Sequence, residues 1–166
     1  MRRFARLFAE VDRTTRTSEK VDAMAAYFAE ADAADAAWAV YFLSGGRPKR
    51  LVPVRRLSSW AMEIAAIPEW LFDECYDAVG DLAETISLLL PPAERRVERP
   101  LHLWIEERVL GLAKQSEEAQ RESIRQSWGE VDGVERFVWN KLITGGFRVG
   151  VSHQLVVRAL SRASGI

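Results

Sequence analysis

The chain is 166 residues long and 48% hydrophobic, with six Trp, seven Phe and a formal net charge of −1. That is one domain's worth of sequence with ample material for a packed core, which excludes a disordered chain, and the near-zero charge gives no overall pull toward a polyanion. One cysteine excludes an intramolecular disulfide framework, and no run approaches the roughly 20 apolar residues of a membrane span. A reduced, cytoplasmic, non-membrane setting is expected, with no signal-peptide apolar region at the N-terminus. Cys75, in an apolar helical stretch, fits a buried structural thiol better than a nucleophile.

Hydropathy patterning is helical almost throughout. Phe4, Leu7, Phe8 and Val11 follow the i, i+3, i+4, i+7 spacing of an amphipathic helix. Thr14-Thr15-Arg16-Thr17 is a break, with Thr17 the expected N-cap of a helix carrying Val21, Met24, Ala25 and Phe28. The Ala-rich stretch 31–43 adds Ala37, Val40 and Tyr41 and ends before Gly45-Gly46, after which Pro48 and Pro53 punctuate a basic loop. Leu57, Trp60, Ala61 and Ile64 mark the next apolar face, and Pro68 fits the first position of the helix after it. Asp81 and Glu84 have the spacing of a capping box, opening a helix with Leu82, Ile86 and Leu89 inward that Pro91-Pro92 stops.

After a loop through Arg99, a helix aligns Leu101, Trp104, Ile105 and Val109. Asp132 and Glu135 repeat the cap spacing ahead of Val134, Phe137, Val138 and Leu142. The last helix puts Val151, Leu155, Ala159 and Ala163 on one side and Gln154, Arg158 and Arg162 nearer the other. Strand alternation and fixed-period repeats are both missing. The expected fold is all-α, a compact single-domain bundle of about eight to ten helices over residues 1–166.

Charge is unevenly distributed. Residues 44–56 hold Arg47, Lys49, Arg50, Arg55 and Arg56 and no acid. Residues 136–166 hold Arg136, Lys141, Arg148, Arg158 and Arg162, again without an acid, whereas residues 69–94 hold seven acids and no base. A neutral total can hide a basic face and an acidic back, and only the local field matters to a polyanion. Solvated helix faces are the plainer alternative.

Catalytic constellations fail inspection. His102 and His153 lie far apart in sequence with no paired Cys or carboxylate at ligand spacing, and neither a phosphate-loop motif nor a nucleophile elbow occurs. Lys20-Val21-Asp22-Ala23 approaches the Lys-x-Asp-Gly motif of nucleotidyltransferases. Its last residue is Ala, however, and it falls within a helical pattern, so Lys20 is placed to meet a phosphate or solvent instead.

Three places share another kind of chemistry. Thr14–Lys20, Val79–Glu84 and Thr144–His153 are each a turn followed by a helix start. Such starts offer N–H groups and positive dipole character, and they bind phosphate without reading bases. The expected contacts are Thr15, Arg16, Thr17 and Lys20; Arg47, Lys49 and Arg50; Gly80 and Asp81; and Lys141, Thr144, Gly145, Gly146, Arg148, Gly150 and Ser152. Ordinary interhelix turns with Gly as a routine C-cap are the alternative. A helical protein-interaction module, using exposed Trp anchors, is the competing functional class, although Trp38, Trp60, Trp104 and Trp139 fall on apolar faces.

Several segments resemble the DNA-binding domain of bacterial ATP-dependent DNA ligases. Phe4-Ala5-Arg6-Leu7-Phe8 with Thr14–Lys20 is similar to the family's opening helix-turn-helix, and Tyr41-Phe42-Leu43-Ser44-Gly45 to its helix-ending Leu-x-Gly. Ala78–Glu84 is similar to its Gly-Asp-x-x-Glu region, and Trp139–Ser152 to its closing Gly-x-x-Arg-Val/Ile-Gly signature. The resemblance implies a monomeric helical domain that grips nicked double-stranded DNA across the minor groove. In that family the nucleotidyltransferase and oligonucleotide-binding domains follow, and ATP and Mg belong to the full-length enzyme, with no cofactor in this domain. Ile166 falls about where the catalytic domain is expected to begin, so this fragment is expected to bind DNA without sealing it.

Overall fold

The computed structural model describes residues 1–48 and 51–165. Among them are ten α-helices and no strand, in agreement with the all-α expectation. They are α1 Arg2–Arg13, α2 Thr17–Glu30, α3 Ala33–Leu43, α4 Val54–Ala65, α5 Glu69–Val79, α6 Leu82–Leu89, α7 Leu101–Leu103, α8 Glu117–Glu130, α9 Gly133–Thr144 and α10 His153–Ser164. The short α7 continues through a π turn, Trp104–Val109, and a 3-10 turn, Leu110–Lys114. Leu101, Trp104, Ile105, Val109 and Leu112 are all fully buried along this rod.

Helix α1 buries Phe4, Leu7, Phe8 and Val11, as its spacing requires, and packs on α2 and α9. Helix α10 lies along α2, and α6 along α9. Phe147, from the loop after α9, enters the centre between Phe4, Phe8 and Phe42, with ring centroids 5.5, 5.0 and 5.8 Å away. Trp104 and Trp139 are fully buried and Trp60 and Trp128 nearly so, whereas Trp70 is 66% exposed. Cys75 is half-buried rather than buried.

Some caps differ from expectation. Helix α2 takes Arg16 as its N-cap, and Thr14 Oγ1, two residues earlier, accepts the Arg16 N–H at 3.1 Å. Asp132 stands at the N-cap of α9, but its carboxylate binds Arg96 at 2.8 Å, and Glu135 binds Arg2. Val134 is exposed, but Val138 and Leu142 are fully buried as expected and Phe137 packs against the core, with Arg136, Trp139, Asn140 and Ile143 buried beside them. Helix α8, for which the hydropathy pattern set no expectation, buries Ile124 and Trp128 beside the polar Gln120 and Ser127.

The α7 rod is capped from across the chain. Asp35 on α3 accepts the Leu101 and His102 N–H groups at 3.0 and 2.9 Å, and its Oδ1 lies 2.6 Å from His102 Nδ1. Burial alone would raise the Asp35 pKa, but these hydrogen bonds outweigh it and hold the carboxyl below its ordinary 3.8. A depressed folded-state pKa stabilises the fold fully above the unfolded value, and that stability is lost as pH falls through the folded one. Thermal melts between pH 5 and 2 are therefore expected to fall less steeply for Asp35→Asn than for the wild type. Parallel curves would refute the assignment.

Candidate nucleic-acid interface

The loop between α9 and α10 is built by alternation. Gly145 closes α9 in the left-handed region, φ 70°, where a side chain would be strained. Gly146 then donates its N–H to the Lys141 carbonyl at 3.1 Å. Beyond it Phe147 and Val149 are buried, whereas Arg148 and Gly150 are exposed. Ser152 starts α10 by accepting the Leu155 N–H on its hydroxyl at 3.4 Å. Among the described residues, no N–H from Phe147 to Gln154 has a protein acceptor. Arg148 has no ion-pair or hydrogen-bond partner there either.

Residues from the other turns approach this loop or the end of α9 that leads into it. Lys20, at the start of α2, donates to the carbonyls of Val149 at 2.8 Å and Gly150 at 3.1 Å. Lys141 pairs with Asp81, the cap of α6, whose Oδ1 accepts the Glu84 N–H at 3.0 Å as its spacing predicts. The basic loop comes close at Pro48, whose carbonyl lies 3.8 Å from the position a Gly145 Cβ would take. His153 Nδ1 is 3.4 Å from Ser44 Oγ. The start of α2, through Lys20, and the basic loop, at Pro48, thus adjoin the α9–α10 loop, while the start of α6 meets helix α9 one turn before it, at Lys141. At α2 the N–H groups of Thr17, Ser18 and Glu19 lack a described acceptor, and at α6 those of Asp81, Leu82 and Ala83 do.

The individual residues play unequal parts. Thr15, Thr17, Arg47 and Arg148 are exposed and their side chains lack a described partner, while Arg16 is exposed but paired with Glu19. Lys49 and Arg50 lie outside the described residues. Lys20 corrects the expectation that it faces phosphate or solvent: it is 7% exposed and its ammonium is engaged by carbonyls. Lys141 and Asp81 offset each other's charge, so this corner contributes amides rather than net charge. The N–H groups of Gly80 and Gly146 are taken by helix ends, and Thr144 Oγ1 bonds back to Asn140 at 2.8 Å.

Arg136, counted above in a basic segment, is 2% exposed and donates to the carbonyls of Val131, Leu90, Pro91 and Trp128. It adds nothing to a surface field. Burial lowers its pKa. Two supports were missed from sequence. Phe147 pins the loop to the core, and Asn140 joins α6 to α9 by donating to the Ala83 carbonyl at 3.1 Å and accepting from Trp128 Nε1 at 2.8 Å.

The family model described as DNA ligase N terminus matches residues 1–161 of the 166. The chain belongs to the DNA ligase N-terminus family. No curated protein matches it. All four ligase-like segments, from Phe4–Phe8 to Trp139–Ser152, fall inside the matched range of this ligase domain. Among the described residues, no helix of the domain is long and apolar enough to cross a membrane.

Proposed function

We propose that this ligase N-terminal domain grips nicked duplex DNA without sequence preference, through the phosphate backbone and the minor groove, as part of an ATP-dependent DNA ligase. It acts as a monomer and holds the nick for the enzyme's catalytic domains, to which ATP and Mg belong. The observation that supports this is the unbroken run of N–H groups from Phe147 to Gln154 without an acceptor among the described residues, around an Arg148 that likewise has no described partner. Backbone amides and one guanidinium satisfy phosphate oxygens and carry no base code. The amide-bearing starts of α2 and α6 beside that loop extend the track.

Fluorescence anisotropy with a nicked duplex tests it. If about six phosphates are engaged, affinity falls about 10³-fold between 50 and 200 mM salt. Arg148→Ala weakens binding several-fold whatever the base sequence and lowers the salt slope by about 0.9. Binding indifferent to salt would sink the proposal. The protein-interaction reading retains one observation, Trp70, exposed on α5 among Glu69, Asp73, Glu74 and Asp77. Under the DNA reading Trp70→Ala leaves duplex affinity unchanged.

A further inference from the structure

We infer that Lys20 is a positioning residue, holding the N–H groups of Gly150 and Val151 outward for phosphate; the inference rests on the proposed DNA contact of this loop. In a trans peptide the carbonyl of one residue and the N–H of the next point to opposite sides. Lys20 Nζ draws the Val149 and Gly150 carbonyls to itself at 2.8 and 3.1 Å. The following two N–H groups, those of Gly150 and Val151, are thereby directed away from the buried ammonium. Consecutive carbonyls reach one cation because Gly150 adopts a positive φ of 58°, and successive amides in such a turn form an anion-binding concavity.

Two further features fit this role. Lys20 has no carboxylate partner among the described residues, so its charge is not cancelled beneath the loop. A Cβ on Gly150 would lie 3.2 Å from Lys20 Nζ, so a side chain at 150 would push the ammonium by a few tenths of an ångström as well as strain the backbone at φ 58°. Lys20 is too buried to contact phosphate itself; it acts through the two amides.

The test uses the whole chain, 15N-labelled, titrated separately with inorganic phosphate and with a nicked duplex. In the wild type both ligands are expected to shift the Gly150 and Val151 amide resonances. Lys20→Met abolishes the phosphate-induced shifts, weakens duplex binding about tenfold and lowers the salt slope by about one phosphate contact. A merely structural lysine would lower the melting temperature yet leave shifts and slope unchanged well below it, and that result overturns the inference. Should Lys20→Met fail to fold, Gly150→Ala, which keeps the charge but crowds its seat, is expected to give the same losses; unaltered shifts there are equally fatal. Wild-type shifts with phosphate but no duplex binding would remove the DNA reading and leave the positioning role standing. Duplex binding that bypasses both amides, or no response to either ligand, would remove the positioning role.

Discussion

Arg136→Met is expected to lower the stability of the domain by about 3–5 kcal/mol, a fall in melting temperature of roughly 10 °C, while leaving an unfolding transition that is still cooperative. The guanidinium donates at 2.9 Å to Val131, 3.2 Å to Leu90, 2.8 Å to Pro91 and 2.8 Å to Trp128, all through carbonyl oxygens. Those acceptors come from the ends of α6 and α8, so one side chain satisfies the orphan carbonyls of two helix termini. Methionine fills much of the same volume and donates nothing, leaving buried oxygens at about 1–3 kcal/mol each, less what local water recovers. Lysine would preserve the charge but not the fork. Urea denaturation of Arg136→Met and Arg136→Lys measures both losses, and a methionine variant as stable as the wild type would show that water already serves these carbonyls.

The fold was legible wherever apolar residues alone mark the buried stripe. Helix α1 behaves as its spacing predicts, and Asp81 caps α6 as its position three residues before Glu84 requires; the final helix follows in part, with Ala159 buried and Val151, Leu155 and Ala163 half-buried beside a fully buried Val156. Reading failed where polar residues occupy the stripe. Lys20 stands one turn before Met24 and two before Tyr27 on the buried face of α2, and Arg136 one turn before Trp139 and Asn140 on that of α9. A charged residue at such a position is usually solvent-facing, and only the carbonyls it meets from other segments reverse that. Helix α8 shows the same effect, because Gln120 and Ser127 interrupt the apolar pattern of Ile124 and Trp128. The cap of α7 was illegible for another reason. Its carboxylate comes from Asp35, more than sixty residues away, and no local window contains it.

The candidate interface divides along the same line. Turn chemistry is local, so Gly145, Gly150 and Ser152 could be placed from sequence at a helix end, a turn and a helix start. Which cations remain free is a tertiary property. Of the described basic residues proposed as contacts, Arg16 and Lys141 pair with acids and Lys20 with carbonyls, while Arg47 and Arg148 have no described partner. Among the described residues the field at the surface thus comes from fewer side chains than a count of Lys and Arg suggests, and under the proposed function the amides carry correspondingly more of the contact.

Phe147 and Arg148 are adjacent in sequence and opposite in role, which allows stability and binding to be separated. Phe147→Ala is expected to cost about 3–5 kcal/mol, because the ring is 3% exposed and packs on three other aromatic rings. Removing it also frees the loop from the core, so duplex affinity falls beyond the several-fold loss of Arg148→Ala even where the domain is fully folded. Phe147→Leu restores most of the buried volume and is expected to recover all but about 1.5 kcal/mol of stability together with near wild-type affinity. Arg148→Ala, by contrast, leaves the melting temperature unchanged, because its side chain is exposed and touches no described partner. Paired melts and anisotropy titrations of the three variants decide the matter. If Arg148→Ala destabilised the fold, or Phe147→Ala left affinity intact in folded protein, the loop would not be a rigid platform, and binding would have to come from the starts of α2 and α6 alone.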